Sequence, residues 1–369
     1  MLRANGFKSL AGQRVGLITN HTGLAADGTP TAMLFHNDKN VNLSALFSPE
    51  HGFAGKLDIA NVGDATDTTT GLKVFSLYGK TRTPTPEMLS NVDTLVFDIQ
   101  DIGTRFYTYI STMKNAMQAA DNQRKRFVVL DRPNPIGGSV VAGPVLDKGS
   151  ESFVAAHRLP VQHGMTVGEI AKMIKADLGL KLHLEVVAVK HWTRATLFDE
   201  TGLTWVNPSP NMRCLTQALT YPGIGLLETT NLSVGRGTDT PFEVIGASWI
   251  DGRNLAKELN ASQLPGVRFV PIRFTPTSSK YANEVCGGVN IVVTNRDAFE
   301  AVRTGVQIAR TLRTIYPKEW DTKSLNRLLG HKATRDAILN GTRADEIVAS
   351  WQVDLNQFLR RRSEFQLYD

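Results

Sequence analysis

Through the first half of the chain, short runs that are apolar almost throughout alternate with stretches whose apolar residues recur at helical spacing. RVGLIT (14–19), LSALFS (43–48), TLVFDI (94–99) and RFVVLD (126–131) are the runs. Each reads as a strand apolar on both faces, which a parallel strand covered by helices on both sides requires. Between the third and fourth runs, Phe106, Ile110, Met113, Met117 and Ala120 repeat at helical spacing behind Thr104. Thr104 is the expected N-cap, so the stretch predicts a strand–helix–strand crossover. A second amphipathic helix is predicted to begin near Thr166, followed by a strand within LHLEVVAV (182–189). The pattern is that of a doubly wound, mostly parallel α/β sheet.

From Asn207 to Thr240 the texture changes to NPSPNM and YPGIGLLETTNLSVGRGTDTP, rich in Gly, Pro, Asn, Ser and Thr. This segment is expected to be one long loop, and long ordered loops within folded proteins are usually functional. Beyond it the pattern predicts a second, smaller α/β (α+β) unit. It comprises FEVIGASWI, a helix over 252–259, VRFVPIRFTP, VNIVVT and a long helix over 298–315. The remainder reads as helical, with Ile347, Trp351, Leu355, Phe358 and Leu359 forming an apolar stripe. Two domains follow, 1–240 and 241–369.

Composition narrows the class without changing this picture. Of 369 residues, 41% are hydrophobic and 21% charged, an ordinary globular balance. The formal charge of +6 favours an anionic partner. The only basic run is Arg360-Arg361-Arg362, beside Phe358 and Phe365, so nucleic acid is not the expected partner. No stretch is apolar over the roughly 18 residues of a membrane span. MLRANGFKSLAGQRVGLITN has no apolar core of a signal peptide before the first strand. Cys214 and Cys286 lie far apart with no metal-binding spacing, and are expected to be free thiols.

In an open parallel sheet, ligands bind beyond the carboxyl ends of the strands. The four strand exits carry Asn20, His21 and Thr22; then Glu50 and His51; then Asp98 and Asp101; then Asp131, Arg132 and Asn134. Neither the glycine pattern of a dinucleotide site nor a phosphate-binding loop is present, and there is no Gly-x-Ser-x-Gly elbow. A metal on His21, His51, Asp98 and Asp101 is chemically conceivable, but their spacing has no metal-site signature. Carboxylates without a metal or a nucleophilic serine point to general acid and base work, of which glycoside hydrolysis is a leading example. Arg105, Arg132 and Arg236 sit beside these segments and suit an anionic group on the substrate. An acidic sugar satisfies both features.

Eight blocks carry a family likeness: VGLITNHTG (15–23), SPEHGF (48–53), FDIQDIGTRFYTYI (97–110), DRPNPIGG (131–138), HGMTVGE (163–169), NPSPNM (207–212), YPG through SVGRGT (221–238) and PFEVIGASWID (241–251). In this order they resemble the NamZ-like exo-β-N-acetylmuramidases. The resemblance implies a Rossmann-like catalytic domain with a smaller domain closing the cleft. It implies a bacterial, exported enzyme, periplasmic or extracellular, that removes N-acetylmuramic acid from non-reducing ends of peptidoglycan fragments without a cofactor. The family's SPEHG glutamate falls on Glu50, the expected acid. His51, Asp98, Asp101 and Glu228 are the other expected catalytic residues. The sugar is expected to meet Asn20, His21, Arg105, Tyr107, Asp131, Arg132, Asn134, His163, Asn207, Asn211, Asn231 and Arg236. Phe47 and Phe53 are expected to desolvate Glu50 and raise its pKa.

One departure stands out. Where the family commonly reads Val-Glu-Gly-Pro after DRPNP, this chain has Val141-Ala142-Gly143-Pro144. If that glutamate is the second catalytic carboxylate, the chain is inactive or another acid serves, with Glu228, Asp98, Asp101 and Asp131 available. Otherwise the glutamate was never catalytic. The 2-acetamido group can also assist its own departure, oriented by Asn207, Asn211 or Tyr107. The alternatives to a muramidase are an inactive binding or sensing protein for peptidoglycan fragments and a metal-dependent hydrolase.

Overall fold

The computed structural model describes residues 2–59 and 61–369. Its first half contains β1 (Arg14–Thr19), α1 (Thr31–Asn37), β2 (Asn42–Ser48), β3 (Ala65–Thr66), β4 (Lys73–Ser76), β5 (Thr94–Asp98), α2 (Tyr109–Asn122), β6 (Arg126–Leu130), β7 (Ala142–Val145), β8 (Pro160–Gln162), α3 (Val167–Asp177) and β9 (Leu184–Val187). Seven of these strands form one sheet in the order β3-β4-β2-β1-β5-β6-β9, parallel except for the short edge strand β3. The alternation within each apolar run explains why both faces are covered. Leu95 and Phe97 of β5 join one core with Phe127 and Val129, packed under α2 and α3, while Val96 and Val128 join Leu17 and Phe35 in the other. The sheet is doubly wound, as the runs predicted.

Two local expectations fail for identifiable reasons. Thr104 does not cap α2: it forms a bridge to Gln162 and is fully buried, and the helix begins only at Tyr109 behind Thr108. Four intervening residues instead form a bend, which later proves to carry the site. The stretch 207–240 is not one loop, because it contains α4 (Leu215–Ile224) with Pro222 inside it. By contrast Thr166 caps α3 through a reciprocal capping box with Glu169.

Residues beyond α4 build β10 (Val244–Ala247), α5 (Gly252–Ala261), β11 (Val267–Phe274), β12 (Cys286–Val293) and α6 (Ala301–Ile315). The three strands make an antiparallel sheet with β12 in the centre. Helix α6 lies directly against α4. A methyl group added to Gly223 would come 2.0 Å from the Ala301 carbonyl oxygen, so the two backbones touch where glycine stands. The chain finishes in α7 (Asn326–Leu329), α8 (Lys332–Leu339), α9 (Ala344–Ser350) and α10 (Gln352–Ser363). Ile347, Trp351, Leu355 and Phe358 are buried as the stripe predicted.

Candidate active site

Strand β2 ends at Ser48, and Pro49 stops it. The chain then turns, with the Gly52 N–H donating to the Pro49 carbonyl at 3.1 Å. The turn needs left-handed backbone at its third position, and His51 adopts it with φ 68°. That geometry puts Glu50 at the tip, facing the bend that precedes α2. The Thr108 hydroxyl donates to Glu50 Oε2. His51 is held by its Nδ1 at 2.6 Å from the Leu57 carbonyl, which can only accept, so Nδ1 carries a proton.

Glu50 lines a cleft of about 490 Å³ together with His51, Tyr78, Tyr107, Thr108 and Tyr109. The lining also includes Ser209, Asn211, Tyr221, Glu228, Arg236, Lys280 and Arg327. Burial, then the neighbouring Glu50 carboxylate, pushes the Tyr78 phenol up to about 12. Burial likewise holds the Tyr107, Tyr109 and Tyr221 phenols well above their ordinary value. All four are therefore protonated at neutral pH. Phe47 and Phe53, expected to desolvate Glu50, are not in the lining. Phe47 packs against Phe75 inside the sheet, and Phe53 packs on the other core. Strand alternation turned Phe47 away from the tip.

Glu228 supplies the second carboxylate. Arg236 donates to its Oε1 and reaches Asp58 at 2.9 and 3.0 Å. Burial works against the charge on Arg236, and the Glu228 and Asp58 carboxylates more than offset it, leaving the guanidinium above its ordinary pKa. Asp58 also accepts from Asn211 at 3.2 Å, so the loop after His51 is strapped to Asn211. The Lys280 ammonium donates to the Glu228 carbonyl. Ala142 lies on β7, paired with Gln162, and is absent from the lining where Glu228 stands.

Of the residues expected at the site, Glu50, His51, Tyr107, Asn211, Glu228 and Arg236 meet in the cleft. Others stand behind it. Asn20 donates to the Tyr109 hydroxyl at 3.1 Å, and that hydroxyl donates to the Pro208 carbonyl. His21 donates to the backbone carbonyl of Asn207, whose side chain takes no part, and its ring lies against Gly55. Burial pushes the Asp101 carboxyl up to about 7 and the His163 imidazole down to about 3. The two face each other at 3.8 Å, with His163 fully buried. His163 Nδ1 accepts from the Met165 N–H, so its proton sits on Nε2, toward Asp101.

The rest are corrected to structural roles. Asp98 is spent on Arg132, whose Nε donates at 2.7 Å. Asp131 accepts from Thr166, Gly168 and Tyr368, and Asn134 bonds the Met165 carbonyl and the Ile136 N–H. Asn231 bonds the Glu319 carbonyl and the Asp321 N–H. Arg105 is 1% exposed, and its guanidinium donates to the carbonyls of Pro144, Leu159, Leu328 and Leu329. Burial lowers it to about 9. No carboxylate of a ligand can reach it. Among the described residues, no three His, Cys, Asp or Glu side chains gather as a metal site would require, and His21, His51, Asp98 and Asp101 do not converge. Tyr78, Thr108, Tyr109, Ser209, Tyr221, Lys280 and Arg327 were missed. Thr108 and Tyr109 directly follow the expected Tyr107 in the quoted FDIQDIGTRFYTYI, and only the displaced helix start hid them.

Comparison with known proteins matches this geometry to a family. A family model described as the N-terminal part of exo-β-N-acetylmuramidase NamZ matches residues 15–216, and its C-terminal counterpart matches 219–368. The peptidoglycan β-N-acetylmuramidase NamZ of Bacillus subtilis (strain 168) is 46% identical over 365 residues, covering 98% of this chain and 88% of that protein. Among solved structures, a DUF1343 family protein of Bacteroides fragilis NCTC 9343 superposes with a TM-score of 0.92 at 38% identity, covering 100% of this chain and 97% of that one. A second DUF1343 protein of that organism gives 0.80 at 30% identity, with the same coverage of 100% and 97%. With both halves matched and a relative this similar along nearly its whole length, the chain belongs to the NamZ family of exo-β-N-acetylmuramidases.

Proposed function

We propose that this chain is a glycoside hydrolase that releases N-acetylmuramic acid from non-reducing ends of peptidoglycan fragments, with Glu50 as the acid that protonates the leaving oxygen. The observation that carries the assignment is the shared cleft, which Glu50 and Glu228 both line in a chain of this family. Two carboxyl groups flanking the bond are what most glycoside hydrolysis uses. Thr108 fixes Glu50 Oε2, and the protonated phenols of Tyr78 and Tyr107 supply donors for sugar hydroxyls. Glu228, bonded by Arg236, is the second acid. The stretch 1–240 then carries both carboxylates, while 241–369 closes the cleft with Lys280, Ser324 and Arg327.

The test is turnover of a chromogenic N-acetylmuramic acid β-glycoside. General acid–base catalysis is worth about 10²- to 10⁴-fold, so Glu50→Gln should lose activity on that scale while still binding the sugar. Full activity in that variant removes Glu50 from the role. Binding without turnover in the unaltered protein makes it a sensor rather than an enzyme. We further place it outside the cytoplasm, where peptidoglycan lies; cell fractionation with detection of the protein only in the cytoplasm would refute this.

A further inference from the structure

Three cations line the cleft, and two are already engaged. Arg236 is shared between Glu228 and Asp58. Lys280 donates to the Glu228 carbonyl, and burial, opposed by Glu228 and reinforced by Arg236, lowers its pKa. The third, Arg327, has no carboxylate partner and no side-chain hydrogen bond among the described residues, although it lines the same cleft as Glu50. Such a guanidinium offers paired N–H groups matched to a carboxylate, with no internal bond to break first.

Its backbone is fixed from both sides. The Arg327 N–H donates to the Ser324 carbonyl at 3.0 Å, and the Thr229 hydroxyl donates to that same carbonyl at 2.8 Å, tying the turn before α7 to the residue after Glu228. On the other side, the buried Arg105 guanidinium grips the Leu328 and Leu329 carbonyls, and the Asp147 N–H takes the Gly330 carbonyl at 2.9 Å. Arg105 lies three residues before Thr108, the residue that holds Glu50. The acid and the unpartnered cation are therefore placed by neighbouring segments of one backbone. An exposed arginine would ordinarily float on its long side chain; this one springs from a main chain held at four points.

We propose that Arg327 is the specificity residue of the cleft, binding the free carboxylate of the lactyl group that distinguishes muramic acid from N-acetylglucosamine. This rests on the muramidase reading above. The lactyl ether leaves the ring two carbons from the anomeric centre. Its carboxylate can thus be held by Arg327 of α7 while Glu50, which lines the same cleft, meets the glycosidic oxygen. The role expected for Arg105 and Arg132 passes to a residue that neither the strand exits nor the quoted blocks contain.

The test compares two chromogenic substrates, the N-acetylmuramic acid β-glycoside and the same compound with its lactyl carboxyl converted to a primary amide. Charge-assisted hydrogen bonds are worth enough for about a 10- to 100-fold preference for the acid in kcat/KM. In Arg327→Gln the acid-over-amide ratio should fall toward one, and Arg327→Lys should retain part of it, because the charge remains but the fork is lost. A ratio unchanged by Arg327→Gln overturns the assignment, as does an equal loss on both substrates, which marks a merely structural residue. If the unaltered protein hydrolyses neither glycoside, the muramidase reading itself falls. The two failures are therefore told apart in one experiment.

Discussion

At the scale of single residues, the decisive distinction is between polar groups that face the cleft and polar groups that hold it. Arg105 belongs to the second kind. Replacing it with Met would strand four carbonyl groups now bonded by a buried cation, and removing one partner of a buried charged network costs about 3–5 kcal/mol. Urea denaturation of Arg105→Met should show a loss of that order. Asp101 gives a pH prediction. Its carboxyl sits near pH 7 in the folded chain because of burial, against about 4 unfolded. A raised carboxyl binds its proton more tightly when folded. Its contribution is thus fully present below about pH 4 and lost as pH rises through about 7. Asp131, raised by burial to about 6, acts in the same sense, and His163, lowered to about 3, acts in the opposite one. The difference between the two proteins therefore isolates the group. Between pH 5 and 7.5, Asp101→Asn should lose less stability than the unaltered chain, and parallel denaturation profiles would contradict this.

At the scale of elements, what could be read in advance was what a packed surface imposes on sequence. Strands β1, β2, β5 and β6 are buried on both faces, so their runs are apolar throughout and stand out. Strand β4, next to the edge, is only four residues long and half-covered, and KVFS carries no comparable signal. Helix α4 was hidden by Pro222 and Gly223, a pair that usually marks a turn. Here Gly223 is kept for proximity: it lets the helix touch α6 at Gly305, whose own added methyl would lie 2.4 Å from the Gly223 carbonyl oxygen. Gly305→Leu should force the helices apart and cost about 2 kcal/mol or more. A denaturation midpoint unmoved by that substitution would show that the contact is dispensable. The site was legible where backbone position decides it. Glu50 sits at a strand exit behind a proline, which made it one of several candidate acids, and the family likeness singled it out. The arginines were not, because position beside a polar segment does not say which way a long side chain turns. Arg105 points into the protein, Arg132 to Asp98, and only Arg236 reaches the cleft.

At the scale of the whole molecule, the final residues return to the first sheet. The Tyr368 hydroxyl donates to Asp131 at 2.6 Å and accepts from the Val189 N–H at 3.0 Å. The Leu367 N–H donates to Glu169, and the Arg194 N–H takes the Asp369 carbonyl, both at 2.8 Å. The Tyr368 ring also stacks edge-on against Trp192, with centroids 5.1 Å apart. Deleting residues 366–369 would leave Asp131 and Glu169 each short of a donor, and the two lost charge-assisted bonds imply about 3 kcal/mol or more. Chemical denaturation of the shortened chain checks the figure. A consequence follows for biosynthesis. A nascent chain emerges in order, so the first sheet can assemble early, yet the carboxyl group at the end of β6 and the capping glutamate of α3 wait for partners 237 and 198 residues further along. Until residues 367–369 emerge, the first sheet is a folded body with an open seam.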